Sequence, residues 1–380
     1  FETFDESPVP VAKRYEIYAD DFKVTEQRYP AAGDPNVLVG LGVVTVSGKE
    51  AGKTVWIDLG EDKDIYLARV DWFDGGRLIV QRQPRDQKSL DLLMADARTG
   101  GTRLIRQERS DTWVELHSDL HVLEKQPGFV WKSAGDGFPH LYICSPEGEP
   151  ATRLTGGDWC VESLLGVDEE AGLVYFTGTK KSVLERHLYA ARLDGSDAGG
   201  PKRITSRDGV HSIEFSDDCS IYTDTFSDDG TPPQVSLHRA DGSRITWLEE
   251  NALKEGHPYF PFSGTHAVAE YGTISAEDGQ DLYYRLIKPV PFDPGRKYPV
   301  FIDCYGGPRG QQVIKKWSGV WSLYNIFLAQ NGYVVFTLDN RGTGHRGRKF
   351  DDPIYGQLGN VEVTDQAAGV RFLRTLPFID

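Results

Sequence analysis

Short runs in which apolar and polar residues alternate fill the first 250 positions of the chain, and they recur. Leu90-Asp91-Leu92-Leu93, His140-Leu141-Tyr142-Ile143, His187-Leu188-Tyr189-Ala190 and Gln234-Val235-Ser236-Leu237 each read as a strand. With Leu92, Leu141, Leu188 and Val235 taken as equivalent, the intervals are 49, 47 and 47 residues. A turn and a second short run follow each one. Arg103-Leu104-Ile105 comes after Gly100-Gly101, Arg153-Leu154-Thr155 after Glu147-Gly148, Arg203-Ile204-Thr205 after Gly199-Gly200, and Arg244-Ile245-Thr246 after Asp241-Gly242. Gly and acidic turns between alternating runs make hairpins. A similar piece, Thr54-Val55-Trp56-Ile57, lies upstream at a shorter interval. A period near 47 with about four strands per unit predicts β-propeller blades, because helical repeats of that length need amphipathic helices that are absent. A β-sandwich with accidental spacing is the alternative. Four or five units are too few for the larger closed rings, so a partial propeller is expected.

After about Asn251 the pattern changes. Residues 267–287 read as a hairpin that turns at Glu277-Asp278-Gly279. Two nearly continuous apolar runs follow, Tyr298-Pro299-Val300-Phe301-Ile302-Asp303-Cys304 and Gly332-Tyr333-Val334-Val335-Phe336-Thr337-Leu338. Such runs suit strands buried on both faces of a parallel sheet. Residues 317–330 have the length of a crossover helix. Residues 362–374 form a second, with Val363, Ala367, Val370 and Leu373 on one face. Strand alternating with helix means an α/β fold. The predicted division is therefore a β-propeller portion over 1–250 and an α/β domain over 251–380. Ligands bind beyond the carboxyl ends of such strands. That places Tyr305-Gly306-Gly307-Pro308 and Asn340-Arg341-Gly342-Thr343-Gly344-His345 where chemistry is expected.

Composition narrows the classes. The 380 residues carry 57 acidic and 42 basic side chains, a net charge of −15, which disfavours nucleic acid as a partner. The excess is confined to residues 1–250, with 44 acidic against 28 basic, and reads as solvation of outer strands. No run approaches the ~20 apolar residues of a membrane span. Cys144, Cys160, Cys219 and Cys304 are far apart and read as buried thiols or one incidental disulfide. No His, Cys or Asp cluster has ligand spacing, so neither a metal nor another cofactor is expected. Met94 is the sole methionine, and Phe1-Glu2-Thr3-Phe4 lacks the pattern of a signal peptide, so the chain reads as an interior portion of a longer product.

The stretch 298–308, with Leu338-Asp339-Asn340-Arg341-Gly342-Thr343-Gly344, Leu358-Gly359 and Asp365-Gln366, resembles the prolyl oligopeptidase family of serine peptidases. Asp5-Glu6-Ser7-Pro8-Val9, Tyr29-Pro30-Ala31-Ala32-Gly33 and Gly137-Phe138-Pro139-His140-Leu141-Tyr142 are similar to its bacterial dipeptidyl peptidase IV branch. The resemblance implies a propeller over an α/β-hydrolase domain, and release of X-Pro or X-Ala dipeptides from free peptide amino termini. It also implies a homodimer, and a periplasmic or secreted setting. An acylaminoacyl peptidase, an endo-acting oligopeptidase and a non-catalytic binding relative remain alternatives. No G-x-S-x-G nucleophile elbow occurs in residues 1–380, and the acid and histidine of the triad follow the nucleophile in chain order. Residues 1–380 alone are therefore expected to be inactive.

Of the family's catalytic groups, the resemblance carries over Tyr305, as a phenolic donor to the oxyanion of the tetrahedral intermediate. It also places Trp113 and His117 at a propeller loop bordering the substrate, although their composition suits a structural role better. Asp339 and Arg341 read as an ion pair fixing their loop, and His345 as a solvated loop histidine.

Overall fold

The structure is a computed structural model that describes residues 1–197, 199–317 and 319–380. It divides into two compact units, residues 1–118 with 144–150, and residues 119–143 with 151–380.

The first unit opens with β1 (Glu2–Asp5), a hairpin of β2 (Val11–Ile17) and β3 (Phe22–Arg28), β4 (Leu38–Val44) and β5 (Thr54–Trp56). A three-stranded sheet has the order β1-β4-β5, and β2 pairs only with β3. Then β6 (Ile65–Asp74), β7 (Arg77–Pro84), β8 (Ser89–Asp96) and β9 (Thr102–Arg109) form a four-stranded antiparallel meander. Its core joins Ile65, Leu78, Val80 and Leu93 to Leu41, Ile57 and Leu59. Each such side chain contributes about 1.5–3 kcal/mol on burial.

The second unit repeats that meander. The sheets are β10 (Leu120–Val122) to β13 (Ala151–Arg153), through β11 (Phe129–Ser133) and β12 (His140–Cys144); β14 (Val161–Asp168) to β17 (Lys202–Arg203), through β15 (Leu173–Gly178) and β16 (His187–Arg192); and β18 (Val210–Phe215) to β21 (Arg244–Glu249), through β19 (Ile221–Ser227) and β20 (Gln234–Arg239). The four runs that set the period in the sequence are the third strands β8, β12, β16 and β20. Two of them begin with a histidine for a physical reason. Thr155 Oγ1 accepts from Leu141 N (3.0 Å) and lies 3.0 Å from His140 Nδ1; Thr205 repeats this with Leu188 N (3.2 Å) and His187 Nδ1 (3.0 Å). Each hydroxyl thus satisfies a buried backbone donor and a buried imidazole.

Residues 260–380 contribute α1 (Phe260–Ser263), β22 (Ala269–Ser275), β23 (Asp281–Ile287), β24 (Val300–Ile302), α2 (Val320–Gln330), β25 (Val334–Leu338), α3 (Arg348–Asp351) and α4 (Val361–Leu373). The sheet order is β22-β23-β25-β24, with β24 and β25 parallel. On the far side of β24, Tyr298 bridges Ile379 in parallel, with Tyr298 N donating to Phe378 O (2.9 Å) and Asp380 N to Tyr298 O (3.0 Å). A further parallel pairing thus begins there.

Two expectations need correction. β25 is buried throughout, but Phe301 and Ile302 of β24 are exposed, because that strand has a full partner on one side only. On α4 the buried positions are Asp365, Gly369 and Leu373, whereas Val363 is exposed. A Cβ on Gly369 would stand 3.0 Å from Phe336 Cε1 and 3.1 Å from Leu338 Cδ2, so glycine lets the helix lie close on β25.

Candidate functional site

The chain leaves β24 at Ile302 and crosses residues 303–317 without regular structure before α2. Tyr305 stands at the carboxyl end of β24 with its side chain 58% exposed. Its ring lies close over two glycines: a Cβ on Gly310 would meet Cε1 at 2.3 Å, and one on Gly307 would meet it at 3.0 Å. The two glycines therefore make the bed on which the phenol rests.

The loop after β25 holds this segment in place. Asp339 accepts from Gln312 N (2.8 Å) and Val313 N (3.1 Å). Burial pushes its carboxyl up to about 6, although those two donors oppose the shift. Arg309 N donates to Gly342 O (2.7 Å), and Asn340 Nδ2 to Gly306 O (3.4 Å). The expected Asp339–Arg341 ion pair is not the arrangement found. Arg341 instead grips Asp365, Nη2 to Oδ1 at 2.7 Å and Nε to Oδ2 at 3.0 Å, and reaches Asp278 at 3.1 Å. Asp365 lies on α4 and offers both oxygens to the guanidinium, whereas those of Asp339 are taken by the N–H groups of Gln312 and Val313.

From the other side the loop is tied to residues 183–186, ahead of β16. Gln311 Nε2 donates to Val183 O (3.0 Å), Arg186 Nη2 to Gln311 Oε1 (2.5 Å) and Lys315 N to Leu184 O (2.9 Å). Lys315 Nζ also pairs with buried Glu185 at 2.7 Å. These ties join residues more than 120 positions apart. No local pattern in the sequence marks them.

His345 is not the solvated residue expected. It is half-buried with φ 69°, and burial, with Arg186, Arg309 and Lys132 nearby, pushes its pKa down to about 3. Asp351 is buried beside Arg309 (Nη1 to Oδ2, 3.4 Å), and its Oδ1 has no hydrogen-bond partner among the described residues. Burial pushes this carboxyl up to about 7. Cys144, Cys160 and Cys219 are buried free thiols, and Cys304 is an exposed one. The Cys160 thiol is raised to about 12 by burial.

Trp113 and His117 belong to the first unit, in the irregular stretch after β9. Gln83 Nε2 donates to Val114 O (3.0 Å) and Val114 N to Gln87 O (2.7 Å), which anchors that stretch. Trp113 Nε1 donates to Glu115 Oε2 (3.1 Å), and His117 is half-buried. Among the described residues, Glu185, His187 and Asp208 offer ligand atoms within 4.8 Å of one another. Lys315 and Lys181 (3.0 Å from Asp208) already neutralise these carboxylates, so a metal ion would have to displace two ammonium groups. The residues do not fit a metal site.

A phenol at a strand's carboxyl end, held beside a glycine-rich loop in a chain of repeated four-stranded sheets, belongs to a β-propeller joined to an α/β-hydrolase domain. Residues 1–233 match the family model described as the dipeptidyl peptidase IV N-terminal region, and residues 321–380 match that of the prolyl oligopeptidase family. The chain belongs to the prolyl oligopeptidase family, in its dipeptidyl peptidase IV branch. A "Probable dipeptidyl-aminopeptidase B" of Emericella nidulans is 31% identical over 373 residues, covering 94% of this chain and 40% of the relative. One of Tuber melanosporum is 31% identical over 375 residues, covering 93% and 40%. The crystal structure of Porphyromonas gingivalis dipeptidyl peptidase 4 superimposes with a TM-score of 0.89 at 30% identity, covering 100% of this chain and 52% of that one. The chain thus spans well under two thirds of these relatives. The fold is a partial propeller followed by part of the hydrolase domain.

Proposed function

We propose that the complete protein is a serine peptidase that releases X-Pro or X-Ala dipeptides from peptide amino termini, with Tyr305 donating to the oxyanion. The observation that carries the reading is Tyr305 itself: a phenol at the end of β24, seated on Gly307 and Gly310 and exposed towards solvent. In acyl transfer the carbonyl oxygen gains charge only as the tetrahedral intermediate forms, so a donor fixed beforehand stabilises that state without reorganising. The nucleophile elbow that would attack the carbonyl has no counterpart in residues 1–380. Relatives named as dipeptidyl aminopeptidases support the substrate class. The reading gives 1–250 to the propeller portion and 251–380 to the hydrolase portion, and it sets Trp113 and His117 beside the substrate.

It includes a homodimer, for which the β2–β3 hairpin offers exposed Tyr15, Ile17, Tyr18 and Phe22; sedimentation as a monomer across protein concentrations would remove that element. The activity test is mass spectrometry of peptides beginning Ala-Pro, free or N-acetylated, after incubation with the complete protein. Release of Ala-Pro from the free peptide alone is expected. Internal cleavage, or equal cleavage of the acetylated peptide, would move the protein to an oligopeptidase or acylaminoacyl peptidase.

A further inference from the structure

The residue next to the bed of Tyr305 is tied across to residues 183–186. Gly310 backs the phenol ring, and Gln311 follows it directly. The Gln311 amide spends its hydrogen bonds on fixed partners: Nε2 donates to Val183 O (3.0 Å) and Val313 O (3.1 Å), and Oε1 accepts from Arg186 Nη2 (2.5 Å). Arg186 is itself held. It is 4% exposed, its Nη1 donates to Val183 O and Glu185 O (3.0 Å each), and its Nε lies 2.6 Å from Glu162 Oε2. Asp339 fixes the next two backbone donors independently, at Gln312 and Val313. On the other side Arg309 N holds to Gly342 O (2.7 Å), so truncating Gln311 would leave the loop's course intact while releasing Gly310 on its C-terminal side.

We propose that Gln311 is a positioning residue for Tyr305, holding the phenol in register through Gly310 and so linking the seat of residues 183–186 to the oxyanion donor. This rests on the reading of Tyr305 as that donor. Gln311 touches no reacting atom; it acts by limiting where the ring can lie. A displacement of about 1 Å at a catalytic group can cost roughly a hundredfold in rate.

The test is a double-mutant cycle in the complete protein, with kcat and KM measured on an Ala-Pro chromogenic substrate. Gln311→Leu keeps the volume and removes all three bonds. It is expected to lower kcat about ten- to a hundredfold with KM within about twofold, and to add less than about twofold to Tyr305→Phe. Gly310→Ala approaches from the ring side, through a Cβ 2.3 Å from Cε1, and gives the same loss of kcat even where Gln311→Leu does not fold. An undiminished effect of Gln311→Leu in the Tyr305→Phe background overturns the inference, because the residue then acts by another route. An unchanged kcat in both Gln311→Leu and Gly310→Ala, with Tyr305→Phe impaired, overturns it while leaving the role of Tyr305 standing. An unchanged kcat in Tyr305→Phe overturns that role and the inference with it.

Discussion

Two buried aspartates, Asp339 and Asp351, show how burial and the groups around it set the behaviour of a carboxyl. Asp339 accepts two backbone N–H groups, whereas Asp351 has Arg309 at 3.4 Å and the Arg346 backbone N–H, with the Asp352 carboxylate nearby and its own Oδ1 unsatisfied among the described residues. Burial is the first cause of the upward shift at both, and Asp351, with the like charge of Asp352 beside it, goes further, to about 7 against about 6. In the unfolded chain both titrate near the usual 3.8. Between about pH 4 and 7 the native state therefore binds more protons than the unfolded state, so these two groups make stability fall as pH rises through that window. Urea midpoints at pH 5.5 and 8 are expected to show the loss, and Asp351→Asn is expected to flatten it. An Asp351→Asn protein with the same slope as the parent would show that Asp351 does not titrate there.

At the scale of elements, the repeat is held by turn glycines that touch the preceding sheet. Gly100, Gly148, Gly195 and Gly242 all have positive φ, and a Cβ on each would stand against a backbone oxygen one unit earlier: Trp56, Ile105, Arg153 and Ile204. The closest approach is at Gly148, where an added Cβ would meet Ile105 O. Gly148→Ala is expected to cost at least about 2 kcal/mol, from backbone strain together with the clash. Gly172→Ala, at φ +66° with open space around it, bears the strain alone and should cost about 1–2 kcal/mol. Equal denaturation midpoints for the two variants would count against the contact.

The period itself was legible because the third strands and their turns are local patterns. In the third unit, however, the sequence pointed to Gly199-Gly200, whereas Gly195 makes the contact. Only position in space separates glycines so close together. Tyr305 stands out in the sequence through the motif after an apolar run, but residues 183–186 reach Gln311 and Lys315 through pairings that carry no periodicity. The face of α4 was misjudged because Gly369 and Asp365 are buried for close approach and for Arg341, not for hydrophobicity.

For the molecule as a whole, the acidic excess lies in residues 1–250, while residues 251–380 carry 14 basic and 13 acidic side chains. Among the described residues no helix is long and apolar enough to cross a membrane. The repeated sheets supply the frame, and the segment around Tyr305 is fastened both to that frame and to the loop after β25. Under the proposed function, this arrangement offers catalysis a phenol whose place is settled before substrate arrives. The most direct test is the steady-state kinetics of Tyr305→Phe in the complete protein on an Ala-Pro chromogenic substrate. The variant loses a single oxygen and should keep the ring on Gly307 and Gly310. If the phenol stabilises the tetrahedral intermediate, kcat falls by about 10²–10³ with KM little changed, the signature of an interaction made only in the transition state. A variant that turns over at the parent's rate would contradict the account.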